Sequence, residues 1–324
     1  MQRPKTLQAF TESERQRVHS LLAANVAFMM GRKLEEADWS SAYCRAKNIP
    51  ERGWSNLDID VAHEGLGVEH KMLSRVPNKP IMAWSGQTLM HPSLTRKIRI
   101  SSIDSSPEKV KAESLEQYAD LVAKQLTALR SDAPDGQSAD LRAGWMLWQT
   151  SLREFLYFEQ EILVPNPKDY TAQWEERPAN KSRKGSRNLW IYEKDLGAKR
   201  FSVTTVAGAK IQPYFDVPPP TDPNLYFFKV QGEEISPGLI RMWLPASTAR
   251  ELEILLGSLD VVALAEAVTK AGDKIGSDGH RDDFDGLEVV EVRVPSESYD
   301  KLRELYPKAR GDAHMVQTMI ATLT

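Results

Sequence analysis

Residues 56–73 read Asn-Leu-Asp-Ile-Asp-Val-Ala-His-Glu-Gly-Leu-Gly-Val-Glu-His-Lys-Met-Leu, and this stretch limits the possible folds more than any other. Leu57, Ile59 and Val61 alternate with Asp58 and Asp60. After Gly65 and Gly67, Val68, His70 and Met72 alternate with Glu69, Lys71 and Leu73. Period-two alternation on both sides of a glycine turn specifies a β-hairpin. Successive strand residues point to opposite faces, so Asp58 shares a face with Asp60, and Glu69 with Lys71. With the turn at Glu64-Gly65, Asp60 falls opposite Glu69 and Asp58 opposite Lys71, at Cβ separations of about 4.5–5.5 Å. Two carboxylates that close repel each other unless a cation lies between them. Hard oxygens at such spacing suit Mg²⁺, which binds through one or two carboxylates together with waters and phosphate oxygens. Lys71 points at the same place, where an ammonium polarises a water or stabilises charge growing on a phosphate. Val68 to Leu73 is also apolar enough for a central strand, which rarely buries charge without a partner or a metal.

An Asp followed by Glu-x-Lys on a hairpin resembles the PD-(D/E)xK nuclease superfamily, whose best-known members are the type II restriction endonucleases. The matching residues are Asp58 or Asp60 and then Glu69-His70-Lys71; Leu57 or Ile59 stands where that motif has its proline. The resemblance implies an α/β (α+β) fold, with a restriction-endonuclease-like mixed central sheet flanked by helices. It implies Mg²⁺-dependent hydrolysis of phosphodiester bonds in double-stranded DNA, with Asp60, Asp58 and Glu69 as metal ligands and Lys71 beside the attacking water. It implies a homodimer too, because a two-fold protein matches a palindromic duplex. Other readings inside the resemblance are a modification-dependent or repair nuclease and a non-catalytic DNA-binding defence protein. In that family an acidic residue of the helix before the hairpin sometimes helps bind metal. Glu35 and Glu36 are candidates for this role, or are simply a solvated helix end.

A chain of 324 residues is long enough for one large domain or two ordinary ones. Its net charge of −3 means that nucleic-acid contact must come from local basic patches. The single cysteine, Cys44, excludes an intrachain disulfide and a cysteine-rich zinc site, and fits a reducing cytoplasm. No apolar run approaches the 18 residues of a membrane span, and Met1 to Lys5 lacks a signal-peptide core. A cytoplasmic protein with no membrane partner is expected.

Thr11-x-x-Glu14 is a capping box for a helix running to about Gly31, with Val18, Leu21, Leu22, Val26 and Met29 as its apolar stripe. Residues 38–56 read as a partly helical connection. Ser106-Pro107 opens a helix that continues to Ala133, residues 143–149 suit a strand, and Ser151-x-x-Glu154 caps a helix through Ile162. That order agrees with the αβββαβ core of the resembled family. Residues 165–188 read as irregular and polar, and a hairpin follows over 188–206. Arg96, Lys97 and Arg99 mark either a DNA-contacting loop or a strand with one basic face. Lys181, Arg183, Lys184 and Arg187 around Gly185 suit a phosphate-binding loop or a basic linker. Pro218-Pro219-Pro220 is the sharpest break in the chain. It divides a nuclease-like domain at 1–217 from a C-terminal α+β region at 218–324, assigned to DNA recognition or dimerisation, unless the sheet continues through Leu225 to Val230. Trp190 and Trp243 are either base-stacking or core residues, and the acidic stretch 278–286 reads as a solvated turn.

Overall fold

The computed structural model describes residues 4–29, 34–50, 59–75, 80–90, 96–101, 105–149, 154–178, 185–204, 209–272 and 289–305. From the N-terminus these form β1 (Thr6–Leu7), α1 (Glu12–Met29), α2 (Glu36–Lys47), β2 (Val61–His63), β3 (Leu66–Arg75), β4 (Thr88–Met90), β5 (Arg96–Lys97), α3 (Pro107–Asp132), β6 (Asp140–Gln149) and β7 (Glu154–Glu161). The chain continues as β8 (Tyr170–Arg177), β9 (Ser186–Glu193), β10 (Lys199–Thr204), β11 (Lys210–Asp216), β12 (Tyr226–Lys229), β13 (Glu233–Ser236), β14 (Leu239–Pro245), α4 (Ala246–Leu256), α5 (Val261–Gly272), β15 (Val289–Pro295) and α6 (Ser296–Leu305). The architecture is mixed α+β, with a mixed central sheet and several helices.

The hairpin forms as the alternation requires. Val61 pairs with Val68 and His63 with Leu66, which leaves Glu64 and Gly65 as the turn. Both turn residues have positive φ, 48° and 85°. That is the backbone of a type I′ turn, whose twist matches the flanking strands. β3 then pairs along its whole length with β6 in parallel, Leu66 opposite Asp140 through Arg75 opposite Gln149. Parallel neighbours need a crossover connection, and α3 lies between them in the sequence. The first sheet has the order β1-β7-β6-β3-β2, with β12 also pairing β7.

Each face of this sheet carries its own core. Val68, Met146, Phe155 and Tyr157 pack against α1 and α2 through Val18, Leu22, Val26, Trp39 and Tyr43. On the opposite face Trp145, Leu147, Leu156 and Phe158 meet Ile81, Trp84, Leu89 and Phe215. A second sheet, β4-β11-β10-β9-β8 with β5 on β11, packs Leu189, Ile191, Phe201 and Val203 onto Val110 and Leu115 of α3. A third, β13-β14-β15, precedes and follows α4 and α5 in the chain.

Among the described residues two stretches depart from the sequence reading. Residues 154–161 form strand β7 where a helix is expected. Phe155, Leu156, Tyr157 and Phe158 are all buried, because β7 lies inside the sheet with both faces covered. An apolar run buried on both faces shows no period of two, and so resembles a buried helix. Within the stretch read as irregular, residues 170–177 form β8, which pairs with β9 from Tyr170–Glu193 to Arg177–Ser186. Beyond Pro218–Pro220, β12 returns to the first sheet, with Tyr226 opposite Tyr157. Among the described residues no helix is long and apolar enough to cross a membrane.

The turn supplies a test of this geometry. A Cβ on Gly65 would lie 2.8 Å from the Ala133 Cβ, on a backbone that L residues rarely adopt. Gly65→Ala is expected to cost roughly 2 kcal/mol, whereas Glu64→Asn, better suited to positive φ, should gain up to about 1 kcal/mol. Urea-unfolding midpoints of the two variants should therefore move in opposite directions.

Candidate active site

β2 is only three residues long, and its end creates the site. Asp60 N–H still donates to the Val68 carbonyl at 3.1 Å, continuing the ladder by one bond. The next donor on β3, His70 N–H, bonds instead to Asp60 Oδ2 at 2.7 Å. The Asp60 side chain thus replaces a strand partner, which fixes its carboxylate against the edge of β3.

Glu69 and Lys71 follow on the same face of β3 and are 5% and 8% exposed. The Lys71 ammonium donates to the His70 carbonyl at 2.7 Å. It stands 3.5 Å from Glu69 Oε1, 3.7 Å from Asp60 Oδ2 and 3.7 Å from Glu36 Oε2. Glu36 comes from the first turn of α2, where a carboxylate also complements the helix dipole. Its neighbour Glu35 has a different task. It is the N-cap of α2 and forms a reciprocal capping box with Asp38. Burial pushes the Asp60 carboxyl up from its ordinary range; the Lys71 ammonium and the His70 amide pull it down, and Glu36 pushes it up again.

His70 is fully buried and points to the opposite face of the sheet. Its Nδ1 is 2.8 Å from Ser40 Oγ, on α2, and its Nε2 is 3.1 Å from the Tyr157 hydroxyl. Tyr157 donates to Glu159 Oε1 at 2.8 Å, and Arg142 donates to Glu159 Oε2 at 2.8 Å. Arg142 also pairs with Asp140. Gly144 makes room for this chain: a Cβ there would come within 2.6 Å of both His70 Cδ2 and the Tyr157 hydroxyl. Burial and the nearby Lys71 charge lower the imidazole to about 3, so it is neutral at physiological pH.

The structure brings together Asp60, Glu69 and Lys71 of the expected site with Glu36, one of the two helix candidates. Asp58 lies outside the described residues, as do Lys181, Arg183, Lys184 and the stretch 278–286. Arg96 and Lys97 lie on β5, opposite Ile211 and Lys210 of the second sheet. Arg99 is exposed beside α3, where its backbone N–H bonds to Gln117. Arg187 is on β9, its guanidinium 4.2 Å from the Trp174 ring. Trp190 is half-buried with the Lys199 ammonium 3.5 Å from its ring centre, whereas Trp243 packs on the first core. Sequence reasoning missed Ser40, Tyr157, Glu159 and Arg142. One signal was available: Glu159 ends the apolar run Phe155-Leu156-Tyr157-Phe158.

Among the described residues no three or more His, Cys, Asp or Glu side chains are placed to hold a metal ion. Of the three carboxylates around Lys71, Asp60 and Glu69 lie on or against β3 and offer hard oxygens. Their chemistry fits Mg²⁺, which completes its shell with waters and phosphate oxygens. No protein-family profile, curated protein or solved structure matches this chain.

The buried imidazole carries a pH dependence of definite sign. The unfolded chain binds a proton on His70 near pH 6.5, while the folded one resists until about 3. Its contribution to stability is intact above pH 6.5 and is lost as the pH falls toward 3. Between pH 6.5 and 5 the wild-type chain should lose roughly 2 kcal/mol from this group. Urea unfolding at the two pH values, compared with His70→Gln, checks it: equal acid limbs would refute a neutral buried imidazole.

Proposed function

We propose that the chain is a Mg²⁺-dependent DNA endonuclease of the PD-(D/E)xK kind, hydrolysing phosphodiester bonds in duplex DNA in the manner of a type II restriction enzyme. The observation that carries this reading is the convergence of Asp60, Glu69 and Glu36 on the Lys71 ammonium, at a sheet edge where β2 has ended. Further support comes from the order of elements: two helices, the hairpin, the short strands β4 and β5, helix α3, then β6 parallel to the hairpin's second strand.

Asp60 and Glu69 would hold the ion. When bound, Mg²⁺ supplies Lewis-acid polarisation of the scissile phosphate and neutralises part of its charge. Lys71 orients the attacking water and stabilises negative charge on the phosphoryl oxygens as it grows. The water oxygen loses a proton to solvent and bonds to phosphorus, the bond from phosphorus to the leaving sugar oxygen breaks, and that oxygen takes up a proton from solvent, so that one water is consumed. Glu36 balances the ammonium and limits its approach to the other two acids. Arg96, Lys97, Arg99 and Arg187, with Lys181, Arg183 and Lys184, are assigned to the DNA backbone, and the active form is a homodimer acting on a two-fold target.

A second reading is a non-catalytic DNA-binding protein that keeps the remains of such a site. It is favoured by one observation: the Lys71 ammonium itself already occupies the centre of the acidic cluster. Metal-dependent turnover separates the two.

The test uses methylated and unmethylated copies of one plasmid, with and without Mg²⁺, and sequencing of any new ends. Cutting that requires Mg²⁺ is expected, and Glu69→Ala and Lys71→Ala should each lower it by at least about 100-fold. Their unfolding transitions should stay cooperative. If both variants cut like the wild type, the site is assigned wrongly; if the wild type cuts nothing in any arm, the second reading takes over.

A further inference from the structure

The chain Ser40–His70–Tyr157–Glu159–Arg142 runs through a core otherwise built of Phe10, Trp39, Tyr43 and Phe155. Polar groups buried there give up water and gain little net stability over apolar residues of the same shape. The proton order along the chain follows from its end. Glu159, paired with Arg142, only accepts, so Tyr157 donates to it. The Tyr157 oxygen then accepts from His70 Nε2–H, which leaves Nδ1 to accept from Ser40. One imidazole tautomer satisfies every member.

This chain bears on the acidic cluster through His70. Its backbone N–H holds Asp60, and its carbonyl holds the Lys71 ammonium. A twist of this one residue therefore displaces two members of the cluster together. On this side β2 pairs with β3 only over Val61 to His63, and the His70 N–H is met by the Asp60 side chain. The imidazole braces this part of β3 from the other face. It is anchored across the gap at Gly144 to β7, and through Ser40 to α2. Ser40 is one helical turn beyond Glu36 on the same face of α2, so the bond that orients His70 also sets the distance of Glu36 from Lys71.

We infer that His70 is a positioning residue: its imidazole, bridged between Ser40 and Tyr157, sets the positions of Asp60, Lys71 and Glu36 from the far side of the sheet. Its role in hydrolysis rests on the nuclease reading above; its hold on the Lys71 amine does not.

The test uses the full chain with Ser40→Ala, which removes one bond of the bridge, and Tyr157→Phe, which removes the other together with the bond to Glu159, each with little change of shape. The metal-free proteins are treated with an amine-directed reagent below the unfolding transition, and labelling is read residue by residue by mass spectrometry. Lys111, equally buried but bonded to Tyr170 and Glu108, is the internal control. In both variants Lys71 should label about fivefold faster relative to Lys111, and kcat for plasmid cleavage should fall about tenfold with KM within about twofold of wild type. An unchanged Lys71 to Lys111 ratio overturns the inference, as does a parallel rise at both lysines, which would mean general loosening. Variants that keep full kcat overturn the role in hydrolysis. A wild-type protein that cuts no DNA sinks the nuclease reading alone, because the labelling ratio still decides the hold on Lys71.

Discussion

A lysine ammonium on a strand buried from both sides must find anions or lose its charge, and much of this structure follows from how Lys71 is accommodated. Three carboxylates from three segments meet it: Glu69 from its own strand, Asp60 from just before β2 and Glu36 from the start of α2. Charges in such surroundings interact strongly because little water screens them, and each is costly if its partner is missing. The arrangement adds a polar tie to pieces of chain that the hairpin pairing and the shared apolar core already bring together. It needs β2 to stop early, since a longer β2 would carry a backbone acceptor where the Asp60 carboxylate now lies.

The same strand presents two kinds of polar chemistry on its two faces. Glu69 and Lys71 form a buried acidic and basic pair on one face. His70 enters a dry network on the other, where its neutral form is enforced by burial. A single residue step separates them, so the strand transmits any displacement from one face to the other. Gly144 makes the arrangement possible, since a side chain on the neighbouring strand would fill the space the imidazole and the Tyr157 hydroxyl share. That gap also explains a glycine in the middle of a central strand, a position where glycine otherwise weakens a sheet.

Legibility in the sequence followed the range of the interactions. The α1 capping box is local, and Thr11 and Glu14 bond to each other's backbone as their spacing implies. Ser106 caps α3 for the same reason. The hairpin register was legible because the alternation and the turn at Glu64-Gly65 agree. β7 was not: an apolar run buried on both faces has no telling period, and an accidental Ser-x-x-Glu pattern stands before it. The β8 strand was hidden because its residues alternate only weakly and its pairing partner, β9, follows a basic segment rich in turn residues.

What the sequence by itself determined was the pairing of Glu69 and Lys71 on one face, with Asp60 opposite, because side-chain direction in a strand depends only on residue parity. Tertiary structure alone decided that Glu36 rather than Glu35 reaches the ammonium, and that His70 is held by Ser40, 30 residues before it, and Tyr157, 87 after it. Those contacts depend on how α2 and β7 pack on the two sides of β3. No local propensity or spacing encodes that packing, because it is set by the volumes of Trp39, Tyr43 and Phe155 filling one shared core.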